Sequence, residues 1–243
     1  FEIRKMTLRE SASNHRDGDN LQLKFRFESR KAVGREDFLV TNSNKYAVDF
    51  LDKWPNWDSS SAIIFGPRGC GKTHIANVWS LRSKAKFLGV KEILEKPIEK
   101  IFDNYRSFVL EDFSALKSPA QEEKILHFYN LLNEKKFFLL ITLRSSLRSL
   151  SITLPDLRSR INSIPSFEIN EPDDDLLGAV LIKLFFDRQL KVDHDVILFL
   201  LKRIERSFSS LNKVVKELDN AALDQKRKIT IPFVRSILKD YLD

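Results

Sequence analysis

The sequence has one cysteine, Cys70, in 243 residues, and no apolar run approaches the ~20 residues of a membrane span. A single thiol can close no internal disulfide, which fits a reducing compartment. There is no charged-then-apolar leader with a small-residue cleavage site, so secretion is not expected and the cytoplasm is the default location. No internal repeat is visible.

What is present is ordinary for a soluble globular chain: 42% hydrophobic and 31% charged residues, enough for one sizeable core with a small satellite. The formal net charge is +7 and the pI about 9.4. The excess is spread along the chain, so a solvated basic surface and a DNA-contacting one remain equally open.

Composition predicts a flexible segment over residues 1–30, polar and aperiodic through TLRESASNHRDGDN (7–20). From Ala62 onward, short apolar runs alternate with helical patterns: AIIFG (62–66), KFLGV (86–90), SFVLE (107–111), FFLLITL (137–143) and SFEI (166–169). Runs of four to seven apolar residues without strict alternation suit strands covered on both faces, and the alternation predicts an α/β domain over 31–170 with a parallel sheet and crossover helices. After NEPDDD the strands stop. Apolar faces at Leu176, Leu177, Val180, Leu181, at Val196, Ile197, Leu200 and at Leu211, Val214, Val215, Leu218 predict an all-helical domain over 171–243, with Asp173–Asp175 opening its first helix.

The chemistry is announced by FGPRGCGKTH (65–74). Gly66-Pro67-Arg68-Gly69-Cys70-Gly71-Lys72-Thr73 fits G-x-x-x-x-G-K-[ST] between an apolar strand and an amphipathic helix, with His74 following. Backbone N–H groups of such a loop turn inward on phosphate oxygens, the lysine reaches the terminal phosphates, and the threonine hydroxyl suits Mg²⁺. ADP or ATP with Mg²⁺ is the expected cofactor. A hydrolysing site also needs acidic groups at another strand end; Glu111 and Asp112 follow SFVL, one for the metal and one for water. A helix cap would look the same. Thr142, near the end of a further strand, could contact the terminal phosphate or the attacking water, and Arg158 and Arg160 in LPDLRSR are either surface charge or an arginine finger.

Taken in order, these segments resemble the AAA+ ATPases of the replication-initiator branch, and most closely the Hda family of DnaA-related proteins. REDFLVTNSNKYAVDFLDKWPNW (35–57), the phosphate loop, FVLED, LPDLRSR and RKITIPFVRSILKDYL (227–242) carry the resemblance. It implies that Phe38 and Leu39 lie near the adenine, Glu111 and Thr73 hold the metal, Asp112 serves the water, Thr142 is the first sensor and Arg160 is the finger acting in trans. It also implies a nucleotide-bound regulator that, with the DNA-loaded sliding clamp (the beta subunit of DNA polymerase III), stimulates ATP hydrolysis by DnaA and prevents over-initiation. Such a protein would be cytoplasmic and held near the nucleoid through the clamp. Its own ATPase would be weak or absent, because Ser209 stands where the branch places a second-sensor arginine. A helicase-loading ATPase motor acting on DNA is the alternative.

The resemblance further assigns LQLKFRF (21–27) to clamp docking through Gln22, Leu23, Phe25 and Phe27, although the period-two spacing equally suits an edge strand. The chain ends at Asp243, about where the helical lid should end, so sequence-specific DNA binding is not expected. A homodimer stays open, and no membrane partner is expected.

Overall fold

The structure is a computed structural model that describes residues 28–29, 39–111, 113, 116 and 118–239. A two-stranded antiparallel ladder, β1 (Glu28–Ser29) with β2 (Leu39–Val40), precedes α1 (Lys45–Asp52). Five strands then form a sheet: β3 (Ser61–Phe65), β4 (Lys86–Gly89), β5 (Ser107–Glu111), β6 (Phe138–Leu143) and β7 (Ser166–Glu168). Their spatial order is β4-β5-β6-β3-β7 and every pairing is parallel. The crossovers contain α2 (Lys72–Ser83), α3 (Val90–Glu95), α4 (Ile98–Phe102), α5 (Pro119–Glu134) and α6 (Pro155–Asn162).

The apolar runs lack polar alternation because both sheet faces are covered. Ile63, Phe108, Leu110, Leu139 and Ile141 pack with α3 to α6 on one face. Their chain neighbours Ala62, Ile64, Val109 and Leu140 pack with α1 and α2 on the other. Successive strand side chains point to opposite faces. Thr142 therefore shares the face of Leu140 and Ile64, the side on which α2 lies.

Four helices follow: α7 (Asp174–Asp187), α8 (His194–Leu201), α9 (Phe208–Gln225) and α10 (Ile231–Ile237). The Asp173 carboxylate accepts the Leu176 N–H at 2.8 Å, and Asp174 and Asp175 occupy the first turn of α7. Apolar stripes of the four helices close a separate core around Leu181, Phe185, Leu200, Val215, Leu218 and Val234. These helices form a lid whose side facing the sheet meets the phosphate loop.

Candidate functional site

Strand β3 runs directly into the loop of residues 66–71, and Gly71 opens α2. Gly69 and Gly71 have φ of +81° and +101°, the left-handed region that L side chains avoid. Space is closed to a side chain as well: a Cβ on Gly69 would lie 2.6 Å from Ser207 Cβ, and one on Gly66 would lie 2.1 Å from the Ile169 carbonyl oxygen. Each of these glycines is thus fixed by its surroundings.

Lys72 folds back over the loop, donating from Nζ to the carbonyls of Gly66 at 2.7 Å and Pro67 at 2.6 Å, with Cys70 Sγ at 3.5 Å. Thr73 Oγ1 donates to Glu111 Oε1 at 3.2 Å across 38 residues of sequence. The register Val109↔Leu140 and Leu110↔Ile141 brings Glu111 level with Thr142. Thr142 in turn stands beside Ile64 of β3. Three strand ends therefore deliver the loop, Glu111 and Thr142 to one place.

That place is a cavity of about 710 Å³, lined by Arg68, Gly69, Cys70, Gly71, Lys72, Thr73 and His74, by Glu111 and Thr142, and by lid residues including Val180, Leu184, Phe208 and Asn212. Its volume lies within the range of small-molecule sites. The loop side carries the cations Arg68 and Lys72, and the lid side carries the apolar Leu176, Val180, Leu184 and Phe208 together with Lys183, Asp187 and Asn212, a lining that can take a polyphosphate joined to a flat base. The donor set also fits Mg²⁺: the Thr73 hydroxyl and Glu111 carboxylate are hard oxygen ligands side by side. Among the described residues no group of three His, Cys, Asp or Glu could hold a metal alone. The remaining ligands would come from phosphate and water, as is usual for that ion.

The lid touches the loop directly. Phe208 N–H donates to the Gly69 carbonyl at 3.2 Å, and the Phe208 ring would lie 3.0 Å from a Cβ on Gly71. Ser207 caps α9 by accepting the Ser210 N–H at 3.1 Å. From that start, Phe208 and Asn212, one turn apart, face the cavity, whereas Ser209 is exposed and away from it. Arg206 pairs with Asp174 at 2.9 Å.

The two arginines of α6 separate clearly. Arg158 turns inward and both its Nε, at 2.9 Å, and a terminal nitrogen donate to the Ile152 carbonyl. Arg160 stays exposed, paired only one turn along the helix with Asp156 at 3.1 Å, and it lies outside the cavity lining. The start of α6 is held by Glu122 of α5, a residue the sequence reading passed over. The Glu122 carboxylate is buried at 3% exposure and accepts both Thr153 N–H and Oγ1–H, and the Leu154 N–H at 2.6 Å. Burial pushes its pKa up, but these bonds and the nearby Arg158 charge outweigh it, leaving the group below the usual carboxylate range.

Phe38, Asp112 and the four peptide residues Gln22, Leu23, Phe25 and Phe27 lie outside the described residues. Leu39 is placed by its backbone in β2 opposite Ser29. Arg144, Lys183 and Asn212 line the cavity without having been anticipated. Only a known lid orientation could have exposed the last two.

Comparison with known proteins adds four observations. Residues 178–238 match the family model of the Hda lid domain. An uncharacterized protein of Haemophilus influenzae is 28% identical over 187 residues, which are 72% of this chain and 80% of that protein. Domain III of the Thermotoga maritima replication initiation protein DnaA aligns with a TM-score of 0.75 at 16% identity, covering 85% of this chain and 95% of that one. AMPPCP-bound DnaA from Aquifex aeolicus aligns at 0.64 and 16% identity, over 77% of this chain and 65% of that one.

Proposed function

We propose that this chain, a DnaA-related protein of the Hda family, is a nucleotide-bound regulator that stimulates ATP hydrolysis by the replication initiator DnaA. It holds ADP or ATP with Mg²⁺ in its own cavity. Glu111 and Thr73 would hold the ion, which would neutralise phosphate charge when bound. Lys72 and the loop N–H groups fix the phosphates, and Thr142 stands at the terminal end. Asp112 is assigned to water.

The observation that carries the reading is the placement of Arg160: exposed, on α6, and away from the chain's own cavity. A guanidinium there cannot serve its own nucleotide, but it can complete a neighbour's site, where such a charge stabilises the transferring phosphoryl group. Docking of Gln22, Leu23, Phe25 and Phe27 on a DNA-loaded clamp would raise the local concentration of regulator at the initiator without requiring a new contact between them.

The test is DnaA-catalysed ATP hydrolysis with regulator and DNA-loaded clamp, in single turnover. R160A is expected to lower the stimulated rate by a factor of about 10³ or more. Omitting the clamp should lower it as well. Wild-type rates with R160A would remove the finger from this residue.

One observation favours a second reading. Loop, Glu111 and Thr142 meet in a single cavity, as a self-sufficient ATPase motor or helicase loader requires. Multiple-turnover hydrolysis by the chain alone, accelerated by single-stranded DNA, would establish that function instead.

A further inference from the structure

We infer that Glu122 is a positioning residue for Arg160: it fixes where α6 begins, and so where the guanidinium is presented to a neighbour's nucleotide, a role that rests on the finger assignment proposed above. The sequence of α6 supplies no cap of its own. Leu154 stands at the N-cap without a side chain able to accept, and Pro155 follows without an N–H. The acceptor comes instead from α5, 32 residues back along the chain. Glu122 Oε2 accepts the Leu154 N–H at 2.6 Å and the Thr153 hydroxyl at 2.8 Å, and Oε1 accepts the Thr153 N–H at 2.9 Å. Arg158, from within α6, closes on the Ile152 carbonyl. Residues 152–154 are thus bound through amides, hydroxyl and carbonyl to two charged side chains.

The two holds on α6 do different things. Leu157 and Ile161, one turn apart, are buried in the sheet-domain core and set which face of the helix turns inward, leaving Arg160 outside. Apolar contact is non-directional, whereas hydrogen bonds to a buried, charged acceptor are short and directional, so they fix the position of the chain as it enters the helix. Arg160 lies less than two turns beyond Leu154, and its Asp156 partner sits on the same helix and moves with it. A displaced start therefore displaces the guanidinium. Misplacement by about an ångström costs on the order of a hundredfold where the reaction depends on alignment. Glu122 itself is buried and lies outside the cavity lining, so it acts on the reaction only through α6.

The experiment titrates the full chain into ATP-loaded DnaA with DNA-loaded clamp and follows single-turnover hydrolysis for wild type, E122Q, T153A and R160A, reading the maximum stimulated rate separately from the half-saturating concentration. E122Q is expected to lower the maximum by about tenfold to a hundredfold and to leave half-saturation within about twofold, because the guanidinium is still delivered but out of line. T153A keeps the carboxylate and both N–H bonds, loses only the hydroxyl, and should lower the maximum by about threefold. A merely structural role does the reverse: an unfolded fraction reduces the active concentration and raises half-saturation while the maximum stays at the wild-type value. That outcome, or no change in either quantity, would overturn the positioning role. Circular dichroism checks that E122Q is folded; if it is not, a wild-type maximum in T153A overturns the role on its own. Wild-type stimulation by R160A would instead remove the finger assignment, whereas a large loss in R160A beside a wild-type maximum in folded E122Q defeats this inference alone.

Discussion

At the scale of single residues, the buried Glu122 has the clearest measurable consequence. Its folded pKa is held below the ordinary 4.5, so it binds a proton less readily in the folded chain than in the unfolded one. The stability it contributes is complete above the unfolded value and is lost as pH falls through the lowered folded value. E122Q should therefore cost about 1–3 kcal/mol at pH 7, because an amide cannot satisfy all of the donors now facing the two oxygens. The difference from wild type should shrink as the pH falls below the ordinary 4.5 and through the lowered folded value, and denaturant unfolding at neutral and at acid pH measures both. Lys72, Thr73, Glu111 and Thr142 were legible in the sequence because each sits at a strand end or in a loop motif. Glu122 was not: in QEEK it reads as solvated helix charge, and its partners are 31 and 32 residues away.

At the scale of elements, the five strands of the parallel sheet were legible almost to the residue, since five apolar runs bounded by helices leave little choice of sheet type, whereas the two-residue strands β1, inside the segment expected to be flexible, and β2 were not. The phase of α9 was less legible. RSFSSLNK offers several serines able to cap a helix, and choosing Ser207 turns Phe208 and Asn212, not Ser209, toward the cavity. The same junction presses Ser207 onto Gly69. G69A should lose nucleotide affinity and stability, with about 1–2 kcal/mol arising from the left-handed backbone alone and more from the collision with Ser207 Cβ. Adding S207G to G69A removes that Cβ and should recover the second part only. A thermal-melt double-mutant cycle checks this, and full additivity of the two substitutions would show that the lid yields freely at this contact.

At the scale of the whole molecule, the sheet domain and lid have separate cores and share the cavity. A ligand filling it touches both, so binding should stabilise the chain as one unit. At a hundredfold excess over Kd the gain is about 2.7 kcal/mol, or roughly 2–4 °C of Tm per kcal/mol for a chain of this size. Scanning calorimetry with and without ADP should show that rise in wild type and little of it in K72A. A rise in K72A equal to that of wild type would mean that the added nucleotide acts elsewhere. No described helix is long and apolar enough to cross a membrane.

The cavity's chemistry is borrowed from three strand ends that lie next to one another in space but 38 and 31 residues apart along the chain, counting Thr73 to Glu111 to Thr142. A slip of β6 by one residue against β3 would send Thr142 to the opposite sheet face and move Arg144 off the loop. Nucleotide affinity is accordingly a gauge of strand register. A chain that grips its ligand has paired its central strands correctly, and one that folds with the wrong pairing betrays itself by letting go.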